Sequence, residues 1–560
     1  MKFKLLGDND FTFNLIGQIG KNRGVEDIDA LLSVTQGQCY YPFNLDNMPE
    51  AIELIKKHIN NKIHIIVDSD CDGVCSATIM FLFLKRIGAK NVTWNNHAKK
   101  KHGIYLDELE DFNFDLLIVP DAGSSNYEEA FELKRQGKDI LIIDHHESEN
   151  IPENVTIVNP KLCEYPNKEL CGSAVVYKVC EAFDLTEGTN YAPEFLDLVA
   201  LGSIADMMDS RVLETRFYSS EGLKAINNKM LKALVGKQKF SIGDKLTIVG
   251  IQFYIAPLIN SVFRSGSIEE LDEMFTGFIT EEDIKVDYKK RGVGDTKVTI
   301  HYDVARKMGL IKNRQDKNKM KLVGPILQIA ESQEEDKIHI IDVTGVEDPE
   351  MLGLLANDMA QKRQRPVLLV KENKEGLLRG SGRNYSRFEV KELKSFLSTF
   401  GFEYIEGHEN AFGVGLKKEN IESIREKIQE ATKDITVEQT FYIDFILDSK
   451  SLTKSFIKEI DKLKPMWASN FEEPYVLVKG VICDNATINE TGSMLSWTNN
   501  GIKFVMFNPS PTSADKLLDK SVECDIIGRV GTNEWKGETT EQVIVSDFTV
   551  SKKVEKEIWF

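Results

Sequence analysis

Three short runs of consecutive apolar residues each end on an aspartate, and this pattern constrains the fold more than any other feature of the chain. Ile63-His64-Ile65-Ile66-Val67 runs into Asp68. Asp115-Leu116-Leu117-Ile118-Val119 leads through Pro120 to Asp121, and Asp139-Ile140-Leu141-Ile142-Ile143 leads to Asp144. Apolar runs of this length without polar alternation fit strands buried on both faces, as in a parallel sheet covered by helices. A helical pattern from Val74 to Arg86 separates the first run from the second. Open parallel sheets place their sites beyond the carboxyl ends of the strands. The three aspartates are therefore expected along one edge of one sheet, where their charges meet.

The surrounding residues point to a divalent cation. Asp68-Ser69-Asp70-Cys71-Asp72-Gly73 carries three carboxylates at alternating positions where a strand turns into a helix. Alternate residues of an extended segment project to one side, so two or three of these carboxylates are expected to converge. Hard cations such as Mg²⁺, Mn²⁺ and Ca²⁺ need several such oxygens. A calcium loop of the EF-hand type begins with the same spacing, but its twelfth position needs a glutamate. That position is Ile79, and a strand rather than a helix precedes the motif. Asp144 is followed by His145 and His146. Imidazole can ligate a metal or donate a proton near neutral pH. Asp206 closes the apolar run Leu198 to Ala205. Alone, Asp121 or Asp206 would read as a turn or capping residue.

The rest of the chain reads as further domains. Its 560 residues suffice for about three or four of them. Residues 211–330 look helical, with a charged and poorly periodic stretch near 280–320. Strand character resumes at Ile338–Val343 and Pro366–Val370 among helical patterns, as a second, smaller α/β unit. Beyond residue 435, short strands at Tyr475–Val478, Ile502–Phe507, Cys524–Ile527 and Gln542–Val545 suggest a small β-barrel of OB type. The expected division is 1–215, 216–330, 331–435 and 436–560, an α/β multidomain protein. Eight scattered cysteines without a C-x-x-C pair read as free thiols rather than a zinc site. No run approaches a membrane span and the N-terminus lacks a signal-peptide pattern, so a cytoplasmic protein is expected. A net charge of −18 argues against nonspecific coating of nucleic acid and leaves any such binding to local basic tracts, such as Lys99-Lys100-Lys101-His102.

Taken together, the acidic and histidine motifs resemble the four signature motifs of the DHH phosphoesterase superfamily, in order and spacing. The resemblance extends to the RecJ nucleases within it. Cys171-Gly172-Ser173-Ala174 resembles the helix start after their DHH motif. Pro257-Leu258-Ile259-Asn260-Ser261-Val262-Phe263-Arg264 resembles their P-R-x-N-A-x-G-R segment, with Leu258 and Phe263 replacing an arginine and a glycine. Gly380-Ser381-Gly382-Arg383 and Gly407-His408-Glu409-Asn410-Ala411-Phe412-Gly413 resemble the two phosphate-contact motifs of the DHH-associated domain. Asn533-Glu534-Trp535-Lys536-Gly537 resembles the end of the RecJ OB domain.

The resemblance implies a two-metal exonuclease that uses Mn²⁺ or Mg²⁺ to degrade single-stranded DNA from the 5′ end to nucleoside 5′-monophosphates. It implies Asp68, Asp70, Asp72, Asp121, His145 and Asp206 as metal ligands, with Asp121 as the bridge. Asp144 would orient the histidines, and His146 would contact the scissile phosphate or assist proton transfer. Asn260, Arg264, Ser381, Gly382, Arg383 and His408 would hold the nucleic acid. The implied partners are single-stranded DNA and a single-strand binding protein or helicase, with the enzyme a monomer. Two alternatives have other functions. An oligoribonuclease or dinucleotide phosphodiesterase of the same superfamily generally lacks a C-terminal OB domain. A non-catalytic replication scaffold loses acidic ligands, which are all present here.

Overall fold

A computed structural model of the chain describes residues 2–553, apart from 13, 99–100, 149–153, 244, 291–293, 346–350, 438–439, 469 and 536–537. The chain forms two compact units. One joins residues from Phe3 to Gly309 with those from Phe441 onward, and the other is Leu310–Thr440.

The first unit is built on a five-stranded sheet of β1 (Lys62–Val67), β2 (Asn91–Asn96), β3 (Leu116–Pro120), β4 (Asp139–Ile143) and β5 (Thr156–Val158). Its order is β2-β1-β3-β4-β5 and every pairing is parallel. All five residues of β3 are buried, as are the last five of β1 and the last four of β4, because helices cover the sheet. The helices that matter for the site are α1 (Cys71–Arg86), α2 (Gly172–Glu187) and α3 (Leu196–Ala205). Further on lies α4 (Ala256–Ser265), entered through a π-helical turn at Ile251–Ile255.

The described residues of the charged stretch near 280–320 form regular elements. Lys285–Lys290 and Gly294–Thr299 pair as an antiparallel hairpin. One 33-residue helix, Ile300–Ser332, comes next. Its long charged run is the solvated face of that helix, which is why no strong apolar period marks it in the sequence.

The C-terminal part of this unit is a seven-stranded mixed sheet with strands at Phe445–Asp448, Tyr475–Cys483, Thr487–Ile488, Met494–Asn499, Ile502–Phe507, Val522–Trp535 and Glu538–Lys553. Its core also receives Leu15, Ile16, Ile19, Ile28 and Leu31 from two N-terminal helices. Arg23 fixes that junction: it pairs with buried Asp444 at 2.9 Å and lies over the Trp467 and Phe471 rings. Trp497 is buried and stacked on Phe504, whereas Phe507 is exposed.

In the second unit, β6 (His339–Asp342), β7 (Val367–Glu372), β8 (Leu377–Arg383), β9 (Tyr404–His408) and β10 (Ala411–Lys417) form a sheet of order β9-β10-β8-β7-β6. Helix α5 (Leu352–Arg363) packs on β7 and β8. Leu352, Leu355 and Met359 meet Ile341, Val367 and Leu369 on one face, while Leu368, Val370, Leu378 and Phe412 build a separate core. All eight cysteines are free thiols and seven are buried. Among the described residues no helix is long and apolar enough to cross a membrane.

Candidate metal centre

The carboxyl ends of β1, β3 and β4 bring the aspartates and histidines together. Asp68 comes directly after β1, and Asp70 caps α1 by accepting the Gly73 N–H at 3.0 Å. Asp72 lies inside the first turn of α1, so the motif is a strand-to-helix turn rather than the extended segment that its alternation suggests. The turn splits the three carboxylates. Ligand atoms of Asp68, Asp70 and Asp121 lie within 4.8 Å of one another. Asp72 instead groups with His145 and Asp206, and a third grouping joins Asp121, His145 and His146. Asp121 and His145 each belong to two groupings, as the members of a two-ion site would.

Local structure fixes each group. Asp121 takes a left-handed backbone at φ 69°, uncommon outside glycine, with its N–H bonded to Ile143 O at 2.7 Å. Asp144 is buried and accepts from the Ser124, His145 and His146 N–H groups and from His146 Nδ1 at 2.8 Å. Burial opposes its charge, yet these donors hold it well below the usual carboxylate range. Burial works against a charged His146 too, but Asp144 raises it to about 9. Burial pushes His145 down to about 3, which keeps its imidazole neutral and able to ligate. His145 Nε2 lies 3.2 Å from Asp121 Oδ1 and 3.6 Å from Asp206 Oδ2. Asp206 caps the carboxyl end of α3.

The carboxylates crowd negative charge into a buried space. Burial, then repulsion from neighbouring acids, raises Asp121 and Asp206 well above the ordinary value, and burial lifts Asp72 to about 6. Asp68 is raised by burial as well, against the pull of His102. Asp121 Oδ1 is buried without a hydrogen-bond donor. Among the described residues no lysine or arginine forms an ion pair with Asp72, Asp121 or Asp206. Buried oxygen donors with one neutral imidazole fit a hard or borderline divalent cation, whose charge would reverse these shifts.

Several supporting residues are not apparent as such in the sequence. His102 Nδ1 lies 2.6 Å from Asp68 Oδ2, so this member of the basic tract supports a candidate ligand. Lys101 pairs with Glu108 at 2.7 Å, while Lys99 and Lys100 lie outside the described residues. Asn159 donates to His146 O and to Ser124 Oγ at the end of β5. Gly172 and Gly202 let α2 and α3 approach: a Cβ at Gly172 would lie 2.1 Å from Asp121 Oδ1, and one at Gly202 would lie 2.0 Å from Asp72 Oδ1. Only a tight polar residue after a strand (Asn159) or a glycine inside an apolar helix (Gly202) signals such roles.

Asn260 reaches the same turn, where its Oδ1 accepts the Cys71 N–H at 3.1 Å. Arg264 is half-buried, and burial lowers it against the pull of Asp70. Leu258 and Phe263 are buried apolar residues. In the second unit, Arg383 pairs in register with Ala411, which pairs with His408. Cross-strand partners share a face, so Arg383 and His408 flank Ala411 on one side of the sheet. Ser381 lies two residues before Arg383 on that face, opposite Gly413. Gly382 points the other way, where a Cβ would lie 2.3 Å from the Phe412 ring. Its lack of a side chain serves packing against Phe412.

Residues 62–203 match the model of the DHH family, N-terminal domain, and residues 443–547 match the RecJ OB domain. The SPbeta prophage-derived protein YorK of Bacillus subtilis, named as a single-strand DNA-specific exonuclease, is 36% identical over the full length of both chains. The single-stranded-DNA-specific exonuclease RecJ of the same organism is 26% identical across 98% of this chain and 70% of its own. The crystal structure of RecJ from Thermus thermophilus in complex with Mn²⁺ superposes with a TM-score of 0.75 at 20% identity, covering 96% of this chain and 76% of that one. With its DHH motifs gathered at one sheet edge and a RecJ OB domain behind them, the chain belongs to the RecJ family of DHH phosphoesterases.

Proposed function

We propose that this protein is a metal-dependent exonuclease that hydrolyses single-stranded DNA processively from the 5′ end, releasing nucleoside 5′-monophosphates in recombination or repair. The overlap of three ligand groupings through Asp121 and His145 carries the reading, since it provides for two cations side by side. Mn²⁺ or Mg²⁺ suits these donors, and such a pair supplies charge for the attacking and leaving oxygens of an in-line displacement at phosphorus. Asp68, Asp70, Asp72, Asp121, His145 and Asp206 would hold the ions. His146, kept protonated by Asp144, would hold a proton towards a phosphate oxygen. Asn260 and Arg264 border this centre, and Arg264 can grip a phosphate through two donors. Ser381, Arg383 and His408 would engage the strand from the second unit, with Gly382 maintaining their sheet. The names of YorK and the RecJ relatives support single-stranded DNA as the substrate, and the Thermus complex supports Mn²⁺. We take the enzyme to act as a cytoplasmic monomer on strands exposed by a helicase or single-strand binding protein.

The test is digestion of 5′- and 3′-labelled single strands with Mn²⁺, comparing wild type with Asp121→Ala. Mononucleotides should appear from the 5′ end and vanish in the variant. Release from neither end, or equal release by both proteins, would refute the reading. Faster cleavage of dinucleotides than of long strands would instead favour an oligoribonuclease-like role.

A further inference from the structure

We propose that Phe253 is a stacking platform for bases of the single strand beside the metal centre, an inference that rests on the nuclease reading above. Phe253 is 63% exposed, an unusual position for a phenylalanine inside a helical segment. Tyr254, the next residue in the chain, is exposed at 39%, and Met207, which follows Asp206, at 58%. Two observations link this apolar surface to the metal centre. Gln252, next to Phe253, lines one small recess together with Ser203, Met207 and Met208, which bracket Asp206. The π-helical turn also sets the phase of the helix after it. Phe253, Pro257, Asn260 and Arg264 fall at i, i+4, i+7 and i+11; Phe253 is exposed and the other three are half-buried, while Ile255, Leu258, Ile259, Val262 and Phe263 are buried.

That stripe runs outward from the site. Asn260 touches the turn of the acidic motif and Arg264 lies in the field of Asp70. Seven helical residues span about 10 Å, which places Phe253 near a neighbouring nucleotide rather than at the reacting phosphate. π-Bulges recur at functional sites, and here one turns an aromatic pair towards solvent. Aromatic faces stack on any base, so they hold single strands without reading sequence. In a duplex the faces of each base are held against the neighbouring base pairs of the stack, so the same platform would favour single strands, whose bases can unstack.

The test uses the full-length protein and fluorescence anisotropy with internally labelled oligodeoxythymidylate in Ca²⁺, so that binding is read independently of cleavage. Phe253→Ala should weaken binding about tenfold, and in Mn²⁺ raise KM with kcat unchanged. Phe253→Trp should restore both. A single abasic site moved along the strand should, at one position, weaken wild-type binding by the same factor and leave Phe253→Ala unaffected. Equal binding by wild type and Phe253→Ala, or abasic penalties identical in the two, would overturn the platform while leaving the nuclease reading intact. A wild type that neither binds nor cuts single strands would overturn both.

Discussion

Gly202 offers a way to disturb the candidate metal centre without changing any of the proposed ligands. It lies in the interior of α3, where glycine is less favourable than alanine by about 1 kcal/mol. A Cβ at this position would lie 2.0 Å from Asp72 Oδ1 and 2.1 Å from Ser173 Oγ, against an ordinary contact of 3.4 Å or more. The Ser173 hydroxyl can rotate away. Asp72 is buried and accepts the Ser173 N–H at 3.2 Å, so its carboxylate must withdraw by about 1.4 Å, the difference between the 2.0 Å approach and the 3.4 Å contact. Overpacking of this kind costs about 1–3 kcal/mol, and the gain in helix propensity offsets about 1 of it. Gly202→Ala should therefore fold, with stability lowered by about 0–2 kcal/mol. A ligand displaced by about 1 Å lowers rate by about a hundredfold. Single-turnover release of mononucleotides at saturating Mn²⁺, with an Mn²⁺ titration beside it, should show that loss and a weaker half-saturation. A variant with wild-type rate and Mn²⁺ dependence would refute the claim that α3 holds Asp72 in place.

Three further outcomes are expected. Lys178→Met leaves Glu214 buried without the ammonium 3.0 Å away, so chemical unfolding should show a loss of about 3–5 kcal/mol, and a loss below about 1 would mean that Tyr165 and Asn167 suffice for that carboxylate. Arg383→Ala should raise KM for long single strands about tenfold or more with kcat little changed, and an unchanged KM would remove Arg383 from the strand path. His64 is pushed down to about 4 by burial from an ordinary 6.5, so the unfolded chain takes up its proton first; stability is fully present above 6.5 and falls towards 4 by up to about 1.4 kcal/mol per pH unit, a slope that His64→Gln should make shallower in unfolding measured across that range.

The sheet and the gathering of aspartates and histidines at its edge were legible because a buried parallel strand writes its limits into the sequence. Ile63 to Val67 and Leu116 to Val119 must be apolar on both faces, and the residues just beyond them at the sheet edge must be functional or turn-forming. Local pattern cannot say how the next residues turn. The alternation of Asp68, Asp70 and Asp72 suggests one extended comb, but Asp70 caps a helix and Asp72 enters it. Periodicity also fails where most of a helix is solvated, as along Ile300–Ser332. The place of the N-terminal helices was hidden for another reason: Arg23 meets Asp444 across 421 residues, and no local rule connects them.

The supports of the candidate ligands were less legible than the candidate ligands themselves, and the reason is physical. A metal ligand needs a particular donor atom, so its residue type is restricted and visible. Support needs only an approach of the right closeness, and many residue types provide one. Gly172 and Gly202 act through the absence of a Cβ, and an isolated glycine in an apolar helix signals close packing without naming the partner. His102 appears within a basic tract that invites a phosphate-contact reading, yet its Nδ1 meets Asp68. Gly382 reads as part of a phosphate motif, while its lack of a Cβ makes room for Phe412 on the opposite face of the sheet. In each case the donor set defines the chemistry, and long-range packing decides whether the donors stand where that chemistry can occur.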